Sequence, residues 1–258
     1  MVGAITGYID VAQIALYAFW IFFALLLWYI RQEDRREGYP LEHDVTGEYA
    51  KESWLFLPSP KTFIRPFDQS PTTFPHPGNR DERPIAAVRT ARFAGAPIEP
   101  TGNPMKDGVG PAAWTERDDV PDRYADGDPR IVPMRLAPEF EVAPGDPDPR
   151  GMAVIGFDRK VAGTVRELWI DRAEQLLRYL EVETAGGTVL VPWNFCKIRE
   201  ARGAKHCVYV HAIASVHFAD IPRTASDEQI TLLEEDKIMG YVGGGLLYGH
   251  ARRAEPIL

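Results

Sequence analysis

The sequence has only two cysteines, Cys196 and Cys207, in 258 residues. Two cysteines cannot build a disulfide framework. Both lie in apolar, strand-like runs and read as small core residues, kept reduced on a cytoplasmic side. Metal-binding spacing is also missing. His43, His76, His206, His211, His217 and His250 form no H-x-x-x-H pair, and there is no Cys-x-x-Cys. No Gly-x-Ser-x-Gly elbow occurs, and no Gly-x-Gly-x-x-Gly follows a strand. A formal net charge of -8 argues against a nucleic-acid partner, which needs a basic face. No internal repeat is present.

Charge is absent where it matters most. From Val11 to Ile30 the only polar side chain, tyrosine hydroxyls apart, is Gln13. Twenty residues rising about 1.5 Å each match the roughly 30 Å hydrocarbon layer. Trp28 and Tyr29 lie at one end of the run, and Tyr8 and Tyr17 towards the other, where amphipathic rings favour an interface. A cleaved signal peptide needs a basic start and a small-residue cleavage site, and the first charged side chain here is Asp10. A buried helix of a soluble protein would be shorter or show a polar face. The run is therefore expected to be a transmembrane helix over 11–31. Arg31, Arg35 and Arg36 follow it and no Lys or Arg precedes it, so residues 1–10 are expected in the periplasm and the bulk of the chain in the cytoplasm.

Of the 22 prolines, 18 fall between Pro58 and Pro149. Proline fixes φ and removes a donor, which disfavours long helices and central strands there. Aromatic and aliphatic residues persist (Trp54, Phe56, Phe63, Ile64, Phe67, Phe74, Trp114), unlike a disordered linker. Residues 32–149 are thus expected to form an extended, ordered segment lying over partner subunits. After Pro149, short β-type runs cover 152–157, 161–170, 177–184, 188–192, 195–199 and 207–213. Gly186-Gly187 supplies a hairpin signal between two of them. Around Tyr179, alternation places Tyr179, Glu181 and Glu183 on one face and Leu180 and Val182 on the other, the period of a half-buried strand. A small β-barrel or curled sheet is expected over 150–225. A C-terminal helix follows within 226–258. Ser226 is its expected N-cap with Gln229 completing a capping box, Ile230, Leu233, Ile238, Tyr241 and Val242 form its apolar face, and Gly243-Gly244-Gly245 ends or loosens it.

The remaining candidate chemistry is carboxylate chemistry. Asp171 and Glu174 stand beside Arg172 and Arg178. Glu234-Glu235-Asp236 lies on the expected helix, and Asp118, Asp119, Asp122, Asp126 and Asp128 crowd one loop. Such residues are ordinarily solvated surface charges. At an interface they can instead hold raised pKa values and pass protons. The residues alone leave both readings open.

Several blocks resemble the H subunit of the purple-bacterial photosynthetic reaction centre. They are Arg35-Arg36-Glu37-Gly38-Tyr39-Pro40-Leu41, Pro60-Lys61-Thr62-Phe63, Pro100-Thr101-Gly102-Asn103-Pro104-Met105, Val109-Gly110-Pro111-Ala112 and Ile131-Val132-Pro133-Met134. Further blocks are Gly145-Asp146-Pro147-Asp148-Pro149-Arg150-Gly151, Arg178-Tyr179-Leu180-Glu181-Val182, Thr231-Leu232-Leu233-Glu234-Glu235-Asp236-Lys237 and Gly244-Gly245-Leu246-Leu247-Tyr248. The resemblance runs nearly end to end. It implies one transmembrane helix and a β-rich (α+β) cytoplasmic domain with a PRC-type β-barrel and a C-terminal helix.

It also implies a non-catalytic subunit that stabilises the L and M subunits in the intracytoplasmic photosynthetic membrane. Bacteriochlorophyll, bacteriopheophytin, quinones and non-haem iron are implied in those partners, and none on this chain. A cytochrome subunit, light-harvesting antenna and membrane lipids are further candidate neighbours. In the family, the segment matching 171–178 faces the secondary quinone. Carried over, Glu174 becomes a relay acid tuned by Asp171 and Arg178. Some family members place two histidines at the proton entry where this sequence has Asp126 and Asp128, so the carried-over histidine role is absent and Asp126, Asp128 and Asp122 are the candidate carboxylates for an entry there. The rival readings are a membrane-tethered PRC-barrel adaptor without pigment and, weaker, a stand-alone membrane-anchored enzyme.

Overall fold

The computed structural model describes residues 10–51, 53–65, 69–75, 81, 83–200 and 206–253. Tyr8, Phe67 and His76, singled out in the sequence, lie outside them. The chain divides into two compact units: Met1–Glu82 with Ala91–Ala96, and Arg83–Thr90 with Pro97–Leu258.

The first unit is built on helix α1, Val11–Glu33. Asp10 caps it, its Oδ1 accepting from the Gln13 backbone N–H at 2.7 Å. Its 23 residues extend about 35 Å. No residue of α1 is buried, and apolar side chains such as Trp20, Ile21 and Phe22 stand more than half exposed. A helix that is apolar on every side and buries none of its residues suits lipid or a partner helix.

The helix runs two residues past its expected end at 31 because Glu33 is tied down from outside. Arg36 donates through Nε and Nη2 to the two Glu33 carboxylate oxygens at 2.7 and 2.9 Å. Its Nη1 donates to the carbonyls of Ser59 at 2.7 Å and Phe74 at 3.2 Å. Lys61 Nζ adds a third contact to Glu33 at 2.9 Å. Arg36, read from sequence as part of a flanking charge signal, is in fact a buried fastener, 8% exposed. It holds β1 (Lys61–Ile64) and β2 (Pro71–Phe74), an antiparallel pair, near the helix end. Trp28 donates to the Leu55 carbonyl at 2.9 Å in the same place.

The second unit begins with a small hairpin of β3 (Ala87–Arg89) and β4 (Ile98–Pro100) and a one-turn helix α2, Pro104–Asp107. Seven strands then form one sheet: β5 (Ile131–Pro133), β6 (Ala153–Ile155), β7 (Val161–Asp171), β8 (Leu176–Thr184), β9 (Gly187–Pro192), β10 (Cys196–Glu200) and β11 (His206–Val210). The order is β10-β11-β6-β7-β8-β9, with β5 beside β7. β6 and β5 pair with successive stretches of the same long strand, β6 near Val161–Thr164 and β5 at Trp169–Asp171. β5 comes from the proline-rich stretch, and its proline sits where only one neighbour needs pairing. Register shifts in β7 allow the ladder to bend. Val154, Val165, Leu180, Val191, Val208 and Val210, drawn from five strands, share one core cluster, so the sheet curls round it. Cys196 and Cys207 are free and buried, as their runs predicted.

The strand β8 departs from the expected half-buried pattern. Tyr179, Leu180, Glu181 and Val182 are all buried. The second face is covered because the Tyr179 hydroxyl donates to Glu235 on the C-terminal helix at 2.9 Å, and Trp169 Nε1 donates to Glu181 at 2.9 Å.

That helix, α3, spans Leu232–Tyr248. It starts at Thr231, not at Ser226. Thr231 Oγ1 accepts from the Glu234 N–H at 3.1 Å and Glu234 accepts back from the Thr231 N–H at 2.9 Å. Two capping boxes competed in the sequence. The second is selected because Leu232 N–H donates to the Val120 carbonyl at 3.0 Å and Thr231 Oγ1 to Asp119 at 2.7 Å. Ile230 is buried ahead of the helix rather than on its face. The triple glycine does not end the helix either. A Cβ on Gly244 would stand 2.5 Å from Ala112 Cβ, and one on Gly240 2.8 Å from the Ala112 carbonyl oxygen. Glycine here is the condition for close packing of α3 on residues 110–113.

Candidate functional site

Strand β7 ends at Asp171, and β8 begins at Leu176 after a short turn in which Gln175 adopts φ +54°. Pairing of Asp171 with both Ile131 and Leu176 fixes its backbone from two sides. Its side chain is spent inward. Oδ1 accepts from the N–H groups of Ala173 and Glu174 at 2.9 and 3.0 Å. Oδ2 accepts from Arg178 Nε and Nη2 at 3.3 and 3.2 Å. Asp171 is 2% exposed, so it shapes the turn and holds the arginine. Arg178 Nη2 then donates outward to Glu174 Oε2 at 2.7 Å. Glu174 keeps a side-chain exposure of 48%. Burial opposes the charge of Arg178, but the Asp171 hydrogen bond and the charges of Glu174 and Glu235 outweigh it and hold the guanidinium above its usual range.

The first turns of α3 close the other side. Burial lifts the Glu235 carboxyl above the ordinary carboxylate range, against the hydrogen bond from Tyr179 and the charges of Arg178 and Arg117. Burial also pushes the Tyr179 hydroxyl far up, so it serves as a fixed donor. Together with Arg117, Trp193 and Asp236, these groups line an open cleft of about 410 Å³.

The acidic loop reaches this corner unevenly. The Arg172 N–H donates to the Arg130 carbonyl at 2.9 Å, extending the β5–β7 pairing by one step. The Arg172 guanidinium stands 3.8 Å from Asp128 and 3.4 Å from Glu139, and lies over the Tyr124 ring at 5.6 Å. Asp122 is bound by Arg130 Nη1 at 2.6 Å, and its charge acts on Glu235. Asp126 accepts from the Asp128 N–H at 3.2 Å and is exposed.

Of the six site residues read from sequence, Asp171, Glu174 and Arg178 therefore meet directly. Asp128 joins through Arg172, and Asp122 through its field. Asp126 stays within its loop. Sequence reasoning did not assign roles to Arg172, Tyr179 or Glu235. Both of the last two lie in blocks that carry the family resemblance, 56 positions apart, and Glu235 also belongs to the acidic run on the expected helix. Among the described residues no group of three or more His, Cys, Asp or Glu side chains could hold a metal ion.

A curled sheet with a packed C-terminal helix, carried behind one exposed apolar helix, defines a PRC-barrel protein with a candidate membrane span. Residues 145–216 match the PRC-barrel domain, and residues 3–136 match the photosynthetic reaction centre, H-chain N-terminal region. The latter covers more than half of the chain, and the chain belongs to that H-chain family. It is a subunit of a photosynthetic reaction centre, associated with the membrane and with the reaction centre core.

Proposed function

We propose that this subunit stabilises the L and M pair, caps its cytoplasmic face and helps deliver protons to the secondary quinone. Bacteriochlorophyll, bacteriopheophytin, quinones and non-haem iron belong to the partner subunits on this reading, and the chain itself is non-catalytic. On this reading the arginines after the helix orient the N-terminus to the periplasm and the main domain to the cytoplasm. On this reading the segment 32–149 contacts partner subunits and lends strand β5 to the barrel, whose other strands fall within 150–225, and 226–258 carry the C-terminal helix, from Leu232, and the tail.

The observation that carries the proton role is the pairing of a buried and an exposed carboxylate on one arginine. A quinone reduced by two electrons takes up two protons in a site shielded from water. Those protons must pass along side chains and ordered water. Asp171 fixes Arg178, and Arg178 orients Glu174 without burying it. Glu174 is thus held in place yet stays in touch with solvent, as a relay acid must. Glu174→Gln removes the exchangeable carboxyl and leaves the Asp171–Arg178 pair whole. Flash-induced absorption kinetics should record a second, proton-coupled electron transfer slowed by roughly tenfold or more, with primary charge separation normal. An unchanged second transfer would end the relay role for Glu174.

A further inference from the structure

We infer that Arg172 is the positioning residue that couples the acidic loop to the relay turn. This rests on the proton-delivery reading above and adds a residue to it. Arg172 directly follows Asp171 in the chain, so its backbone belongs to the turn that holds Glu174. Its N–H is bonded to Arg130, at the end of the loop that carries Asp122, Asp126 and Asp128. Its side chain returns over that loop. The guanidinium is shared between Asp128 at 3.8 Å and Glu139 at 3.4 Å, and the Tyr124 ring lies beneath it at 5.6 Å. The side chain is 29% exposed, so solvent screens these contacts only in part.

No other described side chain is paired at once with the loop and fused by its backbone to the turn. Arg130 ties Asp122 within the loop's own base, and Arg178 ties Asp171 to Glu174 within the turn. Arg172 spans the gap between these two pairs. The planar guanidinium suits this work, since it can address two carboxylates and a ring at once, which a lysine ammonium cannot. The consequence is a fixed placement of Asp128 relative to the relay acid. Without Arg172, Asp128 and Tyr124 are free to swing into solvent, and the step from loop to turn lengthens.

The test is a double-substitution cycle in the intact reaction centre: Arg172→Gln, Asp128→Asn and both together. The second electron transfer to the quinone is followed by flash absorption across a pH series. Arg172→Gln is expected to slow it roughly threefold, more at alkaline pH, where capture of scarce protons limits the rate. In the Asp128→Asn background the same change should add little, because its effect passes through Asp128. Arg172→Lys should restore only part of the rate. Independent effects that multiply in the double variant would overturn the coupling, as would a slowing that is equal at every pH. If Glu174→Gln slows the transfer while Arg172→Gln does not, this inference fails and the relay stands. If Glu174→Gln is silent, the relay itself fails.

Discussion

Two acid-bearing regions of the barrel unit look alike in sequence and differ in kind. In the turn between β7 and β8, Asp171 is buried and takes four hydrogen bonds. In the loop 118–128, Asp126 is exposed and takes one, and Asp128 meets a half-covered arginine at 3.8 Å. A buried carboxylate with four donors is a structural part whose removal leaves an arginine without its anchor. An exposed one with a single cation costs little to remove and is free to exchange protons. The acids that build the site and those that could serve it are therefore separated by burial, and Glu174 sits between the two conditions.

The sharpest way to break this contrast is Asp171→Asn. It should destabilise the full chain in detergent by about 2 kcal/mol, read as a lowered midpoint of thermal unfolding by circular dichroism. An unchanged midpoint would place Asp171 among the dispensable charges. Next in size is the loop itself. Asp126→Asn with Asp128→Asn should slow proton uptake by a fewfold, followed with pH-indicator dyes, and Asp128→Asn alone should give most of that effect. If uptake is unchanged, protons enter elsewhere. Added Zn²⁺ should leave the second electron transfer unaltered, since no described cluster offers three metal-ligating side chains. Inhibition at stoichiometric zinc would reveal a site formed with a partner.

The smallest effect concerns Glu235. Burial raises its folded pKa, so the folded chain holds this proton more tightly than the unfolded chain does. Its contribution to stability is complete below the ordinary carboxylate value and is lost as pH rises through the raised one. Glu235→Gln abolishes that titration. Melting curves collected across that interval should therefore fall less steeply for the variant than for the parent.

Much of the fold could be read directly. Helix α1 was legible because an uncharged run of that length has few other uses. The strands β7 to β9 were legible because turn residues punctuate apolar runs of strand length. The start of α3 was not. Ser226 and Thr231 both head acceptable capping boxes, and the contacts of Leu232 with Val120 and of Thr231 with Asp119 distinguish them. The glycine run of α3 misled for a similar reason. Glycine ends helices when nothing else explains it, and here the close approach of Ala112 to Gly244 and of Ala212 and Ile213 to Gly245 does. In the site, Asp171, Glu174 and Arg178 were readable since they lie within eight positions. Glu235 looked like any helical surface acid until Tyr179 was placed against it.

The sequence by itself determined a membrane-length helix, a curled sheet, a C-terminal helix and a crowd of acids, because hydrophobic period, turn residues and charge are local properties of the chain. Only the tertiary structure decided which acids are buried, which arginine joins the loop to the turn, and why α3 can carry four glycines. Those depend on groups brought together from distant positions, where the loss of water around each charge, rather than its place in the chain, sets what it does.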